Sequence, residues 1–366
     1  MDISAFLDSG PKIDYHHVTD HVTGNMVGRR RKLPRSEVTI RDVAQHAGVS
    51  HQTVSRVIND SERVRPETRA RVKAAIAALD YRPNAIARSM ARGRTATLAC
   101  IAPNLTDYTF ASIIDAAATA VRHHGYFLLS ASAPDEGTFQ GLIDELVTSQ
   151  RVEGLLVINP FADGRYRLLP PSFPTVFAGA RPREEAANSV ALDDVAAAYA
   201  ATQHLLGLGH THIGMITGPM AEDCAQDRSQ GFVQALQAAG ITPPPDWVRE
   251  GNWQPASGYE AFMGWQQQGQ TPTAVFAQND QMALGVLRAA RDCSLQIPAQ
   301  LSIIGVDDIP LASHFAPPLT TLRQDFARIG REAAQLLLQV VEEPERAKEH
   351  LQIEAELILR RSTARA

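Results

Sequence analysis

The sequence predicts an all-α helix–turn–helix head followed by an α/β body built on parallel sheets. Three observations carry this reading. Thr39–Asn59, TIRDVAQHAGVSHQTVSRVIN, has the pattern of two short amphipathic helices around a glycine turn. From Thr97 onward, short apolar runs alternate with amphipathic segments, the pattern of parallel sheets covered by helices on both faces. Charge divides the chain as well. Gly28–Arg94 carries 16 Lys and Arg against 6 Asp and Glu, net +10, and the remainder carries 19 against 34, net −15. A basic N-terminal module on an acidic body points to a nucleic-acid partner.

In chain order, residues 1–36 lack apolar periodicity and carry His16, His17 and His21 ahead of a basic cluster. They read as a disordered basic extension, and three histidines without Cys or carboxylates at fixed spacing make a poor metal set. The head is expected over 37–82. Ile40, Val43, Ala44 and Ala47 recur at helical spacing and form one apolar stripe. Gly48 supplies a turn with positive φ, and Ser50 caps a second helix. In that helix Val54, Val57 and Ile58 face inward, while His51, Gln52, Ser55, Arg56 and Asn59 share the opposite side. Such a face over an apolar underside suits a helix laid in the DNA major groove. A plain solvated helical hairpin would show the same spacing. Pro66 fits the first position of a third helix, whose buried stripe is Val72, Ile76 and Leu79. YRPNAIARSMARGRT (81–95) is basic and Ala-rich, and its 83–95 part reads as a hinge helix or linker that orders on DNA.

The body is expected over 96–366. Strands are predicted at 97–103, 126–132, 154–160, 175–180, 212–219, 273–280 and 301–308, with helices between them, for example over 109–124, 194–208, 223–239 and 280–292. Pro103, Asn159, Asp280 and Asp307 stand where apolar strands end. Ligands of open α/β sheets bind beyond those ends, so these positions are binding candidates.

Several function classes drop out. Cys100, Cys224 and Cys293 are far apart with no CxxC, which fits a reducing cytoplasm. MDISAFLDSGPKID lacks the organisation of a secretory signal, and no apolar run approaches the roughly 20 residues of a membrane-spanning helix. GLGHTH (207–212) lacks the third glycine of a dinucleotide loop and precedes a strand. His204, His210 and His212 have no companion ligands, and neither GxSxG nor HExxH occurs. No enzyme, metal or resident cofactor is expected, and no membrane partner.

Candidate ligand residues remain. Trp253 offers an indole face for a sugar ring, or is a core residue. Arg228 offers a planar fork of donors, or is a surface helix charge. Asn279 and Asp307 follow apolar strands, where they contact ligand hydroxyls or, in the case of Asn279 or Asp280, cap a helix.

AGVSHQTVSRVIN followed by YRPNAIARSMARGRT resembles the DNA-binding head and hinge of the lactose-repressor (LacI/GalR) family, and the similarity runs from about Val38 to Ala364. The resemblance implies a body of two subdomains, like the periplasmic sugar-binding proteins, with the ligand in the cleft between them. It implies crossovers near 192–194, 322–325 and 352–355, with HLQIEAELILRRST closing the second subdomain. By the same resemblance Arg228, Trp253, Asn279 and Asp307 contact an effector, and Gln324 and Phe326 of PPLTTLRQDF line the cleft. Asn104, Asp107, Tyr108 and Phe110 follow the first strand, where the family places further contacts. Gly179 departs from the pattern, because a lactose-binding member has Asp there.

On the DNA side, His51, Gln52 and Arg56 are expected to read bases, and Thr39, Ser50, Thr53, Ser55 and Asn59 to meet phosphates. Asn84, Arg88 and Met90 are expected to serve the hinge, Met90 standing where the family wedges a Leu between base pairs. Arg65 replaces a capping Ser of many relatives, at a cost of about 1 kcal/mol. The implied protein is a cytoplasmic repressor of carbohydrate-utilisation genes, released from a near-palindromic double-stranded operator by a mono- or disaccharide. A co-repressing ligand is the alternative. No leucine heptads follow LILRRSTARA, so a homodimer is expected rather than a tetramer.

Overall fold

A computed structural model describes residues 38–59, 63–82, 94–184, 188–242 and 244–366. They fall into two compact units, the helical head and the α/β body.

In the head, α1 (Ile40–Ala47) opens with a reciprocal cap. The Asp42 N–H donates to the Thr39 hydroxyl, and the Thr39 N–H donates to the Asp42 carboxylate at 2.7 Å. The helix ends at Gly48, whose φ of 63° is the left-handed conformation that glycine tolerates best. Ser50 then caps α2 (His51–Ile58), accepting from the Thr53 N–H at 3.2 Å. Pro66 begins α3 (Pro66–Ala78), and Arg65 before it supplies no side-chain cap. The helices bury Val43, Val54 and Val72 together with Ala44, Ala47, Val57 and Ala75. Ile76 and Leu79 pack only at the edge of this cluster, and Ala75 takes the inner place expected of them. Arg71 of α3 donates Nη2 to the carbonyls of Ala47 at 2.9 Å and Gly48 at 3.2 Å. That tie satisfies acceptors left open at a helix end, and it fixes the turn that aims α2.

The body begins with β1 (Thr97–Ala102), α4 (Tyr108–His123), β2 (Phe127–Ser132), α5 (Glu136–Ile143), β3 (Leu155–Ile158), β4 (Thr175–Ala178) and β5 (Ser189–Leu192). After Leu192 the chain enters the second subdomain through α6 (Asp194–Gly207), β6 (Ile213–Thr217), α7 (Asp223–Ala238), β7 (Val248–Glu250), α8 (Pro255–Gln267), β8 (Ala274–Ala277), α9 (Asp280–Asp292), β9 (Ser302–Asp307) and β10 (Thr320–Arg323). It returns to the first subdomain for α10 (Phe326–Glu342) and β11 (His350–Ile353), then crosses again to β12 (Glu356–Ile358). The first sheet runs β11-β5-β4-β3-β1-β2 and is parallel throughout. The second runs β12-β10-β9-β8-β6-β7 and is parallel except where β12 opposes β10.

Each sheet is covered on both faces. In the first, α4 and α10 bury Ile113, Ala117, Phe326 and Ile329 on one side, and α5 buries Phe139 and Ile143 on the other. In the second, α6 and α7 bury Ala201, Leu205 and Phe232 on one side, and α8 and α9 bury Phe262, Trp265 and Val286 on the other. Burial on both faces explains why β3, β6 and β9 read as unbroken apolar runs rather than alternating ones.

One expectation is corrected. HLQIEAELILRRST does not close the second subdomain as a unit, because His350–Ile353 pairs with β5 in the first sheet and only Glu356–Ile358 joins the second. Glu354 and Ala355 break the run, and each half finds a different open sheet edge. Strands β5, β7, β10 and β12 have three or four residues, too few to show a period.

Candidate functional site

Two surfaces collect the residues singled out from the sequence. The first is the outer side of α2. Val54 and Val57 anchor the helix to the head core, which leaves His51, Gln52 and Arg56 exposed on the far side. Among the described residues these three make no hydrogen bond or ion pair. The short polar side chains are engaged locally. The Ser50 and Thr53 hydroxyls lie 3.0 Å apart, Thr39 holds the α1 cap, and Asn59 Nδ2 donates to Ser55 Oγ at 3.4 Å. The helix thus presents three long unpaired side chains, framed by small polar groups already held in place. Asn84, Arg88 and Met90 lie outside the described residues.

The second surface is a cleft of about 440 Å³ between the two subdomains, at the carboxyl ends of their strands. Of the predicted ligand residues, Asn104, Asp107 and Phe110 reach it from the start of α4 and the segment before it. Gln324 and Phe326 reach it from the crossover into α10, and Arg228, Trp253, Asn279 and Asp307 from the second subdomain. Gly179 also lines it. Tyr108 does not. It sits edge-on to Phe326 with ring centroids 6.1 Å apart, partly exposed outside the lining. Helical rotation explains the difference: Phe110 and Ile113 share the cleft face at i and i+3, and a residue two positions before Phe110 lies on the far side.

Trp253 dominates the second-subdomain wall. Its backbone sits at φ 69°, unusual for a residue with a side chain. Three contacts hold it there. Asn279 Nδ2 donates to its carbonyl at 3.0 Å, its own Nε1 donates to Glu222 Oε2 at 3.0 Å, and its ring lies against Gly218. A Cβ on Gly218 would fall 1.9 Å from the indole Cζ2, so only glycine leaves room for the ring. Asn279 meanwhile caps α9, its Oδ1 accepting from the Met282 N–H at 2.8 Å. The capping reading of Asn279 therefore applies, and through its amide Asn279 also positions the indole at the cleft.

Arg228 is buried in α7. Its Nε donates to Asp194 Oδ1 at 2.7 Å, its Nη1 donates to the Gln278 carbonyl, and its guanidinium carbon lies 5.7 Å from the Trp253 ring centre. Burial alone would lower its pKa, but Asp194 beside it raises it, and the net shift is upward. Burial raises Asp194 and pushes Asp307 well above the ordinary carboxylate range. Asp307 Oδ1 accepts from Gln324 Nε2 at 2.7 Å. Its neighbour in charge, Asp280, is fully buried and pushed up to about 7, chiefly by burial, while accepting from the Thr321 hydroxyl and the Ile309 N–H.

Several site residues escaped the sequence reading. Asp194 pairs with Arg228 across 34 positions of chain. Arg165 is bound by Asp163 at both Nε (2.7 Å) and Nη2 (2.6 Å), while its Nη1 donates to the Ala133 carbonyl. Glu222 precedes α7 without capping it. Its carboxylate turns into the cleft, where Asn159 Nδ2 of the first subdomain also donates to Oε2 at 3.0 Å. Burial raises the Glu222 pKa, against the pull of those two donors. A signal for Glu222 existed, since it lies in the segment that follows the carboxyl end of β6, as Asn159 follows β3.

The cleft is also bridged. Arg181 and Arg183, after β4, reach α7 in the other subdomain. Arg181 pairs with Asp223 at 3.2 Å and Asp227 at 2.8 Å, and Arg183 pairs with Asp223 while stacking on Phe161. Burial pushes the Asp227 carboxyl up to about 6; Arg181 opposes the rise, and Asp194 and Asp223 add to it. The folded chain therefore takes up this proton at higher pH than the unfolded chain. The sign follows by linkage: stability from this group grows as pH falls from above 6 toward 4. Urea midpoints of wild type and Asp227→Asn across that range should show wild type gaining relative to the variant as pH drops. A gap independent of pH would contradict the raised carboxyl.

The three histidines near the strand β6 have structural partners, His212 lying 3.2 Å from the Thr211 hydroxyl and beside the Trp247 ring. His210, buried, bonds Thr273 Oγ1, Ser302 Oγ and the Ala364 carbonyl, each at 3.0 Å, and His204 bonds Thr363 Oγ1. Among the described residues no group of three His, Cys, Asp or Glu is placed to hold a metal ion, and no helix is long and apolar enough to cross a membrane.

With this geometry in hand, comparisons with known proteins converge. Residues 39–84 match the family described as bacterial regulatory proteins, lacI family, and 202–363 match the periplasmic binding protein-like domain. An HTH-type transcriptional repressor PurR of Edwardsiella ictaluri is 34% identical over 333 residues, spanning 89% of this chain and 97% of the relative. The PurR of Haemophilus influenzae is 37% identical over 332 residues, spanning 88% and 98%. Among solved structures, the lac repressor dimer bound to operator and the anti-inducer ONPF superposes with a TM-score of 0.80 at 30% identity, covering 90% of this chain and all of that one. The transcriptional regulator CelR–cellobiose complex gives 0.70 at 32%, covering 89% and 99%.

Proposed function

The chain belongs to the lacI family of bacterial regulatory proteins, a DNA-binding transcription repressor and not an enzyme, and on that premise we propose that a small sugar releases it from its operator. The observation that carries the sugar reading is the cleft wall around Trp253. A flat indole stands beside Arg228, with carboxylate oxygens of Glu222 and Asp307 and amides of Asn104 and Gln324 around it. An apolar face ringed by donors and acceptors matches a pyranose, which has apolar ring faces and an equatorial belt of hydroxyls. The genes it controls are then those of carbohydrate use, and its site of action is the cytoplasm.

The regulator works as a homodimer whose two heads read two halves of a near-palindromic operator, since two-fold protein symmetry matches two-fold DNA. His51, Gln52 and Arg56 read bases, and Thr39, Ser50, Thr53, Ser55 and Asn59 set the head on phosphates. Asn84, Arg88 and Met90 contact the operator from the hinge. The switch is a population shift: sugar favours one arrangement of the subdomains only by its difference in affinity for the two arrangements. The Arg181 and Arg183 bridges join the faces that would move, and so contribute to that balance.

The test is a panel of mono- and disaccharides read by thermal shift on the full chain, followed by release from operator DNA. A ligand that binds only the folded state raises its apparent stability. At least one sugar should raise the melting temperature and weaken operator binding. A sugar that strengthens operator binding would reverse the sign of the switch, and a purine base binding where no sugar does would overturn the effector class.

A further inference from the structure

The unfilled hydrogen-bonding positions of the cleft specify its ligand more narrowly than its outline does. Two cations line it, and each is already matched by a carboxylate. Arg165 is held in bidentate fashion by Asp163, and Arg228 is paired with Asp194. Three further carboxylates, Asp107, Glu222 and Asp307, have no salt-bridge partner among the described residues. Asp107 has both oxygens engaged, by the Thr109 N–H and by Gln281 Nε2, whereas Glu222 and Asp307 each have one oxygen occupied and one free. Glu222 Oε2 takes both Trp253 Nε1 and Asn159 Nδ2, and Asp307 Oδ1 takes Gln324 Nε2. No described residue donates to Glu222 Oε1 or Asp307 Oδ2. A ligand there meets a Glu222 oxygen that wants an O–H or N–H donor and an Asp307 carboxyl oxygen left unbonded, in a partly desolvated space where a like charge is strongly disfavoured.

We propose that Glu222 is a specificity-determining residue, which makes the cleft select an uncharged, hydroxyl-rich effector and reject its phosphorylated or carboxylated forms. This rests on the reading of the cleft as the effector site. Glu222 suits the task because Trp253 and Asn159 fix its orientation from opposite subdomains. The same carboxylate that steadies the indole therefore offers its second oxygen to whatever lies against that indole. A phosphate placed there would face Glu222 with no unpaired cation to offset it.

Titration calorimetry on the full chain tests this with matched pairs: glucose and glucose 6-phosphate, cellobiose and cellobionate, hypoxanthine and its nucleoside monophosphate. In any pair that binds, the uncharged member should bind at least tenfold more tightly. Glu222→Gln keeps the shape and removes the charge, so it should narrow that ratio at least tenfold. The ratio is the readout rather than either affinity alone, and a cooperative thermal transition establishes that the variant folds. An anionic member binding as tightly as its uncharged partner, or a ratio that Glu222→Gln leaves unchanged, would overturn the proposal. If only the purine pair binds, the sugar reading fails, and the base-to-nucleotide ratio still decides the role of Glu222.

Discussion

Arg56→Ala should lose most of its specific operator binding while leaving the effector-induced thermal shift intact. Arg56 is exposed on α2, and among the described residues no acceptor holds it. Its helix is fixed from beneath by Val54 and Val57 and at its start by Ser50. Removing the side chain costs the head no packing, so the loss falls on DNA contacts. A bidentate base contact is worth about 1–3 kcal/mol, and in a dimer the loss counts once per half-site. The specific affinity should fall roughly a hundredfold or more, each tenfold step being about 1.4 kcal/mol. Fluorescence anisotropy at fixed salt measures it, with an unrelated duplex as control. A base reader loses the distinction between the two duplexes. A residue that meets only phosphate weakens both alike and reduces the salt slope. Unchanged specific affinity would move base reading to His51 and Gln52, and loss of the effector shift as well would indicate misfolding.

What could be read from the chain divides along physical lines. The head was legible because its signals are local: the Thr39 and Ser50 caps, the Gly48 turn and the stripe from Ile40 to Ala47 act within one or two helical turns. Arg71 was not legible, since its bond to Ala47 joins residues 24 apart. The long buried strands announced themselves as apolar runs, whereas VRE and TTLR are strands only because a neighbouring edge pairs with them. In the cleft, Trp253, Arg228 and Asp307 were singled out by residue type and position and then by family resemblance, but their partners were not. Asp194 and Glu222 decide which atoms of Arg228 and Trp253 remain free, Asn159 orients Glu222, and partner choice of that kind is set by tertiary geometry. Tyr108 was misplaced for the opposite reason. The resemblance implied a contact from the segment after the first strand, and helical rotation turned Tyr108 out of the cleft lining.

Trp253→Ala should remove most of the effector response while operator binding without effector persists. Burying one large apolar face is worth about 2–3 kcal/mol, a loss of roughly 30- to 150-fold in effector affinity. Truncation also frees Glu222 Oε2 from its indole donor and so disturbs the carboxylate beside it. Gly218→Ala separates position from chemistry. Its new methyl would stand 1.9 Å from the indole Cζ2, so the ring must leave its seat although no cleft side chain other than the indole is displaced directly. If the indole acts by where it lies, Gly218→Ala should reproduce most of the Trp253→Ala loss in a titration of operator release against sugar. If Gly218→Ala responds like wild type while Trp253→Ala does not, the ring tolerates displacement and recognition rests on the carboxylates. If neither variant shifts the curve, the effector does not rest on this wall, and the opposite side, around Phe110 and Phe326, becomes the surface to test.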